Sequence, residues 1–312
     1  MQEAGKRVSA KDQERLQYAV GGKPVDLDRS LLGPQSVTWL VNREAVLLAG
    51  GGCALLLQVA HPLVAAGVAE HSNFRERPLD RLYRTLDLML RITFAPARDA
   101  IRAVREIERR HARVRGRLSE TAGPFPKGTP YDANDPHLML WVHATLVDTA
   151  LRVFEMFLRP LTEEERDRYY QESTIVARIL GIPNDLVPKT RVQFERYYRH
   201  MLASDSLAVS HESREIAAAI LNPTQPLWLR GVMPPVRLLT TGLLPEPLRQ
   251  RYGLSWPTWE EQVFRAAVLA TQLAIPCLPS AVRFFPHARE AWRREATSTL
   301  RGTPAASRAA VV

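Results

Sequence analysis

"VREIERRHARVRG", residues 104–116, sets one histidine inside a run of arginines and glutamates, and its periodicity decides how the chain is read. Wound as an α-helix, Ala100, Val104, Ile107, His111, Val114 and Leu118 recur at alternating spacings of four and three. That spacing makes one apolar face. Arg102, Arg105, Arg109 and Arg113 lie mainly on the other faces. His111 therefore points where the hydrophobes point, an unusual direction for a titratable ring.

The same period runs through most of the chain. Helices are expected over 42–60, 62–72, 77–93, 97–118, 136–157, 162–180, 188–200, 210–221, 226–242, 245–252, 259–273 and 280–295. Thr162 with Glu165 three residues on is a capping-box pattern, and Asp135 before Pro136 suits an N-cap with a first-turn proline. Sustained period-two alternation and repeats of 20–50 residues are both missing. The expected fold is all-α: one large multi-helix domain over 37–295, after an N-terminal arm (1–36) with one short helix and before a disordered tail (296–312).

Of 312 residues, 46% are hydrophobic and 24% charged, enough to bury a large core. The two cysteines, Cys53 and Cys277, sit in apolar surroundings, which excludes a disulfide framework and a Cys-rich zinc site. A reduced, cytoplasmic location follows. The net charge of +9 comes mostly from arginine, spread over amphipathic helices and not clustered with aromatics, so nucleic-acid binding is not expected. A peripheral membrane contact remains an expectation from the basic balance. The N-terminus is polar and lacks a signal-peptide core. The longest uncharged run, residues 45–69, is interrupted by three glycines, His61 and Pro62, and reads as a core helix followed by a break.

Gly50, Gly51 and Gly52 fail the G-x-G-x-x-G pattern because Leu55 stands where a third glycine should. They read as sites of close helix packing or of backbone approach to a flat ligand. Glu108-x-x-His111 is half of a di-iron motif without its second copy. No H-E-x-x-H and no G-x-S-x-G occurs. What remains economical is a cofactor that needs one protein nitrogen, and haem is such a cofactor: one axial imidazole, an apolar slot, and cations for its propionates. His111 with Arg105, Arg109 and Arg115 around it has that chemistry; a lone core histidine bonded to its neighbours is the structural alternative.

Four stretches sharpen the choice: "ALLLQVAHPLVAAGVAEHSNF", "RPLDRLYRTLDLMLRITF", "IERRHARVRG" and "GTPYDANDPHLMLWVHATLVDTAL". In that order they resemble the catalytic domain of the rubber oxygenases (latex-clearing proteins), a family that includes the endoplasmic-reticulum oxygenase of mycophenolic acid biosynthesis. The likeness runs from Trp39 to Glu295 and is specific through Phe157. It implies an all-helical haem b protein acting with dioxygen on a small apolar substrate. It also implies His111 as the proximal iron ligand and a distal helix carrying Arg81, Arg84 and Thr85. Where some members offer a lysine to the iron, this chain has Arg84, whose guanidinium stays protonated and has no lone pair to give.

Other histidines compete. His143 in "WVHATLVD" shares a face with Leu140, Val147 and Phe154 and is the rival ligand, with Asp148 as an orienting partner. His71 is expected at the pocket edge and His61 at a helix end before Pro62. The Tyr169–Tyr170 and Tyr197–Tyr198 pairs read as packing. A haem or lipid carrier without turnover, and a basic membrane-surface protein, are the competing functional readings.

Overall fold

The computed structural model describes residues 8–72, 78–222 and 229–302. In chain order the elements are α1 (Ala10–Ala19), α2 (Val37–Asn42), a 3-10 helix (Ala45–Gly50), α3 (Gly51–Val59), α4 (Pro62–His71), α5 (Pro78–Phe94) and α6 (Ala97–His111). A small hairpin, β1 (Arg115–Arg117) and β2 (Pro130–Asp132), precedes α7 (Pro136–Phe157), α8 (Glu163–Ile179), α9 (Arg191–Ala203) and α10 (His211–Leu221). Then come α11 (Leu229–Leu243), α12 (Glu246–Tyr252), α13 (Thr258–Ala274), a 3-10 turn (Ile275–Cys277), α14 (Ser280–Arg283) and α15 (Pro286–Gly302). The fold is all-α.

The centre is α7, which is apolar on nearly every side and therefore surrounded. Trp141 is fully buried, and its Nε1 donates to the Leu57 carbonyl at 3.2 Å. That bond ties α7 to α3. Cys53, Leu56 and Leu57 of α3, Phe154 and Phe157 of α7, Tyr169 and Tyr170 of α8, and Phe194 and Tyr198 of α9 form the main core. Asp135 caps α7 by accepting from the His137 and Leu138 amides, and Thr162 and Glu165 close the capping box on α8, both as the sequence indicates.

A second cluster joins the N-terminal segment to the rest. Leu16 and Ala19 of α1 are fully buried against Ile101 and Val104 of α6 and Ile179 of α8. Arg105 pairs with Asp12, and Arg15 with Glu108, so the charges of α6 hold α1 in place. The arm is thus built into the core, and Glu108 is committed to an arginine, which removes it as a metal ligand.

Three boundaries differ from the sequence reading. Residues 42–60 are a 3-10 turn followed by α3, because the glycines at 50–52 let the chain change pitch while packing closely. A Cβ on Gly50 would stand 2.6 Å from Thr149 Cγ2, and one on Gly52 would stand 2.1 Å from Thr240 Oγ1. Helix α6 stops at His111 and does not reach residue 118. The Val114 amide bonds the His111 carbonyl, and the chain turns into β1, where Gly116 leaves room for the Tyr131 ring of β2. The segment 280–295 breaks at Phe284–Phe285, where the Phe285 amide donates to the Arg43 carbonyl at 2.9 Å. Helix α15 then runs on to Gly302, through residues 296–302 that the sequence reading gave to the tail; residues 303–312 lie outside the described residues.

Candidate active site

A cavity lies between the 3-10 helix with α3 on one side and α5, α7 and α8 on the other. The space open to water-molecule centres is about 200 Å³. An apolar space of that size suits a small organic ligand.

Each wall follows from helical spacing. From α5 come Thr85, Leu86, Met89, Leu90 and Thr93, and from α7 come His143, Leu146, Val147 and Ala150. Gly50, Gly51 and Leu55 supply a low wall opposite, and Tyr169, Ser173 and Val176 of α8 close the end. Most polar groups here are already bonded: Thr93 Oγ1 to the Met89 carbonyl, Ser173 Oγ to the Tyr170 carbonyl, and Tyr169 Oη to Asn42 Oδ1. Thr38 Oγ1, buried on the wall, makes no hydrogen bond among the described residues. The interior is therefore mostly apolar, with His143, Thr38 and Thr149 as its distinctive polar groups.

The His143 ring is buried, and burial holds its pKa down at about 4. It is neutral at pH 7. One ring N–H donates to the Ser173 backbone carbonyl, which leaves the second nitrogen as an acceptor or a metal ligand. Asp148 does not orient it. That carboxyl, pushed up by burial, pairs with Arg152 at 3.6 Å.

The other sequence candidates divide. Thr85 lines the cavity at its open edge, and Arg84 beside it is exposed. The side chain of Arg81 lies outside the described residues. Leu88, three residues after Thr85, packs against α6. His111 is half-buried at the last turn of α6 with its Nδ1 shielded from water, and it is not on the cavity wall. His71 meets Tyr131 Oη at 3.3 Å, where Glu70 also accepts from that hydroxyl at 2.6 Å, away from the cavity. Arg115 is an exposed β1 residue 3.7 Å from Asp132. His61 is the N-cap residue of α4, its ring tilted by 42° against that of Phe125 with centroids 5.1 Å apart, and burial lowers its pKa to about 4. Met89, Thr93, Tyr169 and Ser173 were not singled out for the site. Extending the helix from Thr85 by four and eight residues would have found the first two.

Two buried neutral imidazoles have a consequence for stability. His61 and His143 take up protons near pH 6.5 in the unfolded chain but only near pH 4 when folded. Their contribution is fully present above pH 6.5 and is lost as the pH falls through about 4. At pH 5 the expected loss is about 2 kcal/mol per histidine. Urea unfolding at pH 7.5 and pH 5 measures it, and equal midpoints would show that both rings titrate normally.

Among the described residues, no three His, Cys, Asp or Glu side chains converge as metal ligands. No single described helix is long and apolar enough to cross a membrane; α3 with its preceding turn and α4 pass that test only as a pair bent by 108°.

An apolar chamber inside a helical bundle, with one neutral imidazole and a threonine at its edge, is the arrangement of an enzyme or carrier for small apolar molecules. The comparison with known families bears on this choice. Residues 38–273 match the family described as ER-bound oxygenase mpaB/B'/rubber oxygenase, catalytic domain, and the chain belongs to that family. Uncharacterised proteins of Mycobacterium tuberculosis and Mycobacterium bovis are each 26% identical over 244 residues, covering 76% of this chain and 92% of theirs. No solved structure matches it. The family match makes an oxygenase, and so an oxidoreductase, the supported class.

Proposed function

We propose that the chain is a haem-b-dependent oxygenase that takes an apolar organic substrate and dioxygen into the cavity between α3, α5 and α7. The observation that carries the reading is the pairing of an oxygenase-family domain with an apolar chamber holding a neutral imidazole.

The residues fit haem in kind. His111 and His143 are each single imidazoles, the kind of donor a porphyrin iron takes from a protein. His111, at the C-terminal end of α6, would hold the iron, and Arg115 four residues later would meet a propionate. When bound, haem supplies an iron centre able to activate dioxygen. The protein's own part is to exclude water with Leu86, Leu90, Leu146 and Val147, and to offer the Thr85 hydroxyl at the cavity edge. Arg84 and Arg81 would stabilise negative charge that develops on oxygen. His143, neutral and fixed by Ser173, can accept a hydrogen bond inside the chamber.

A second reading of the ligand has its own support: His143 already has the carbonyl-bonded second nitrogen typical of metal-bound histidines. The absorption spectrum of the chain purified from cells with ample porphyrin tests the haem. A Soret band and oxygen uptake with an alkene substrate are expected. Colourless protein ends the haem reading. Haem or lipid binding without oxygen uptake would make the chain a carrier.

A further inference from the structure

We infer that Gln58 and His143 form a hydrogen-bonding clamp for one hydroxyl group, so that the cavity takes an uncharged, otherwise apolar alcohol. The inference rests on the cavity being the substrate chamber of the proposed oxygenase, and it names the class of molecule that fits there. Gln58 of α3 lines the cavity and is only 6% exposed, yet its side-chain amide makes no hydrogen bond among the described residues. A buried primary amide without partners costs free energy, and a ligand that supplies them recovers it.

The packing of α3 on α7 brings the two side chains to the same end of the chamber. A Cβ on Gly50, just before α3, would stand 2.6 Å from Thr149 and 2.8 Å from Val153, in the later half of α7. At the other end of α3, the Leu57 carbonyl accepts from Trp141 Nε1, early in α7. The two helices are therefore antiparallel, and Gln58, next to Leu57, lies level with the α7 turn that holds His143. The His143 ring is fixed by the Ser173 carbonyl and presents its second nitrogen as an acceptor. Gln58 brings the complementary N–H donors.

These two groups select a hydroxyl. Its O–H donates to His143 and its oxygen accepts from the Gln58 amide, whereas a ketone oxygen accepts from Gln58 alone and leaves the imidazole nitrogen unmet. Charge is selected against. Among the described residues that line the cavity there is no Asp, Glu, Lys or Arg, so a carboxylate or ammonium brought inside would have no counter-ion. The rest of the ligand lies against Leu55, Leu86, Met89, Leu90 and Leu146. One fixed hydroxyl in an apolar chamber sets the ligand's orientation, and with it the bond presented for reaction.

Binding of 2-octanol, 2-octanone and n-nonane to the full chain as purified, measured by headspace gas chromatography, tests this. The alcohol is expected to bind about fivefold or more tightly than the ketone. Gln58→Leu should weaken 2-octanol by about fivefold or more and leave n-nonane within about twofold, so that retained nonane binding shows the variant to be folded. Gln58→Met, closer in shape to glutamine, repeats the measurement. Equal affinity for alcohol and ketone, no uptake of the alcohol by the wild type, or nonane-binding variants that hold 2-octanol as tightly as the wild type would overturn the inference. So would octanoate that binds as well as the alcohol at neutral pH. The haem reading is tested separately, by colour. Colourless protein with the alcohol preference supports the clamp while ending the haem reading; haem-loaded protein without that preference overturns the clamp alone.

Discussion

His111→Ala is expected to purify without a Soret band, whereas His143→Ala keeps most of its haem. The His111 imidazole would be the protein's bond to the haem iron, so its removal should lower haem occupancy by more than the ~10–100-fold typical of losing a supporting partner. His111 is favoured by its place in the motif; it stands half-buried at the end of α6. Helix α5 connects to α6 through only two residues and packs along it, so the start of α5, with Arg81, faces the end carrying His111. His143 is held differently. Its N–H is bonded to Ser173, and its ring is one wall of the chamber. Its loss should enlarge the chamber and impair turnover more than loading. Circular dichroism on both variants separates loss of haem from loss of fold. If His143→Ala is the colourless variant, the iron belongs to the chamber imidazole, and α6 has a structural role only.

Arg283→Ala should destabilise the fold by about 3 kcal/mol. Glu44 is 1% exposed, and its carboxylate accepts from Arg283 Nε at 2.8 Å and from Arg283 Nη2 at 2.9 Å. Arg43 Nε stands 3.5 Å away and is the weaker partner. Deleting Arg283 leaves a buried charge mostly uncompensated, which costs far more than an exposed pair is worth. The loss would not stay local. The pair fastens α14 to the turn before the 3-10 helix, and both Leu47 and Phe285 on either side of that seam line the cavity. Cavity ligands should therefore bind more weakly in the variant. The double variant Glu44→Gln with Arg283→Met should recover most of the stability, because it removes both charges together. Thermal melts of the three variants decide this; a double variant as unstable as Arg283→Ala would mean that packing, not charge, is what Arg283 supplies.

The sequence by itself determined the helical class, the caps of α7 and α8, and the core-facing position of His143, because helical period and capping are local properties of the chain. It also carried the family, through motifs that lie close together between residues 39 and 157. It misread where α6 ends. The period runs on through Val114 and Leu118, but Leu118 is buried and Val114 half-buried beside a hairpin whose second strand lies fifteen residues away, and no local signal announces that pairing. It also missed that the α6 charges hold α1, since Asp12 and Arg105, like Arg15 and Glu108, are distant along the chain and adjacent only when folded. Tertiary structure alone decided which face of α5 meets a cavity and which histidine borders it. Helical period shows that a residue lies on an apolar face; only the packing of other helices against that face decides whether it meets core, cavity or solvent.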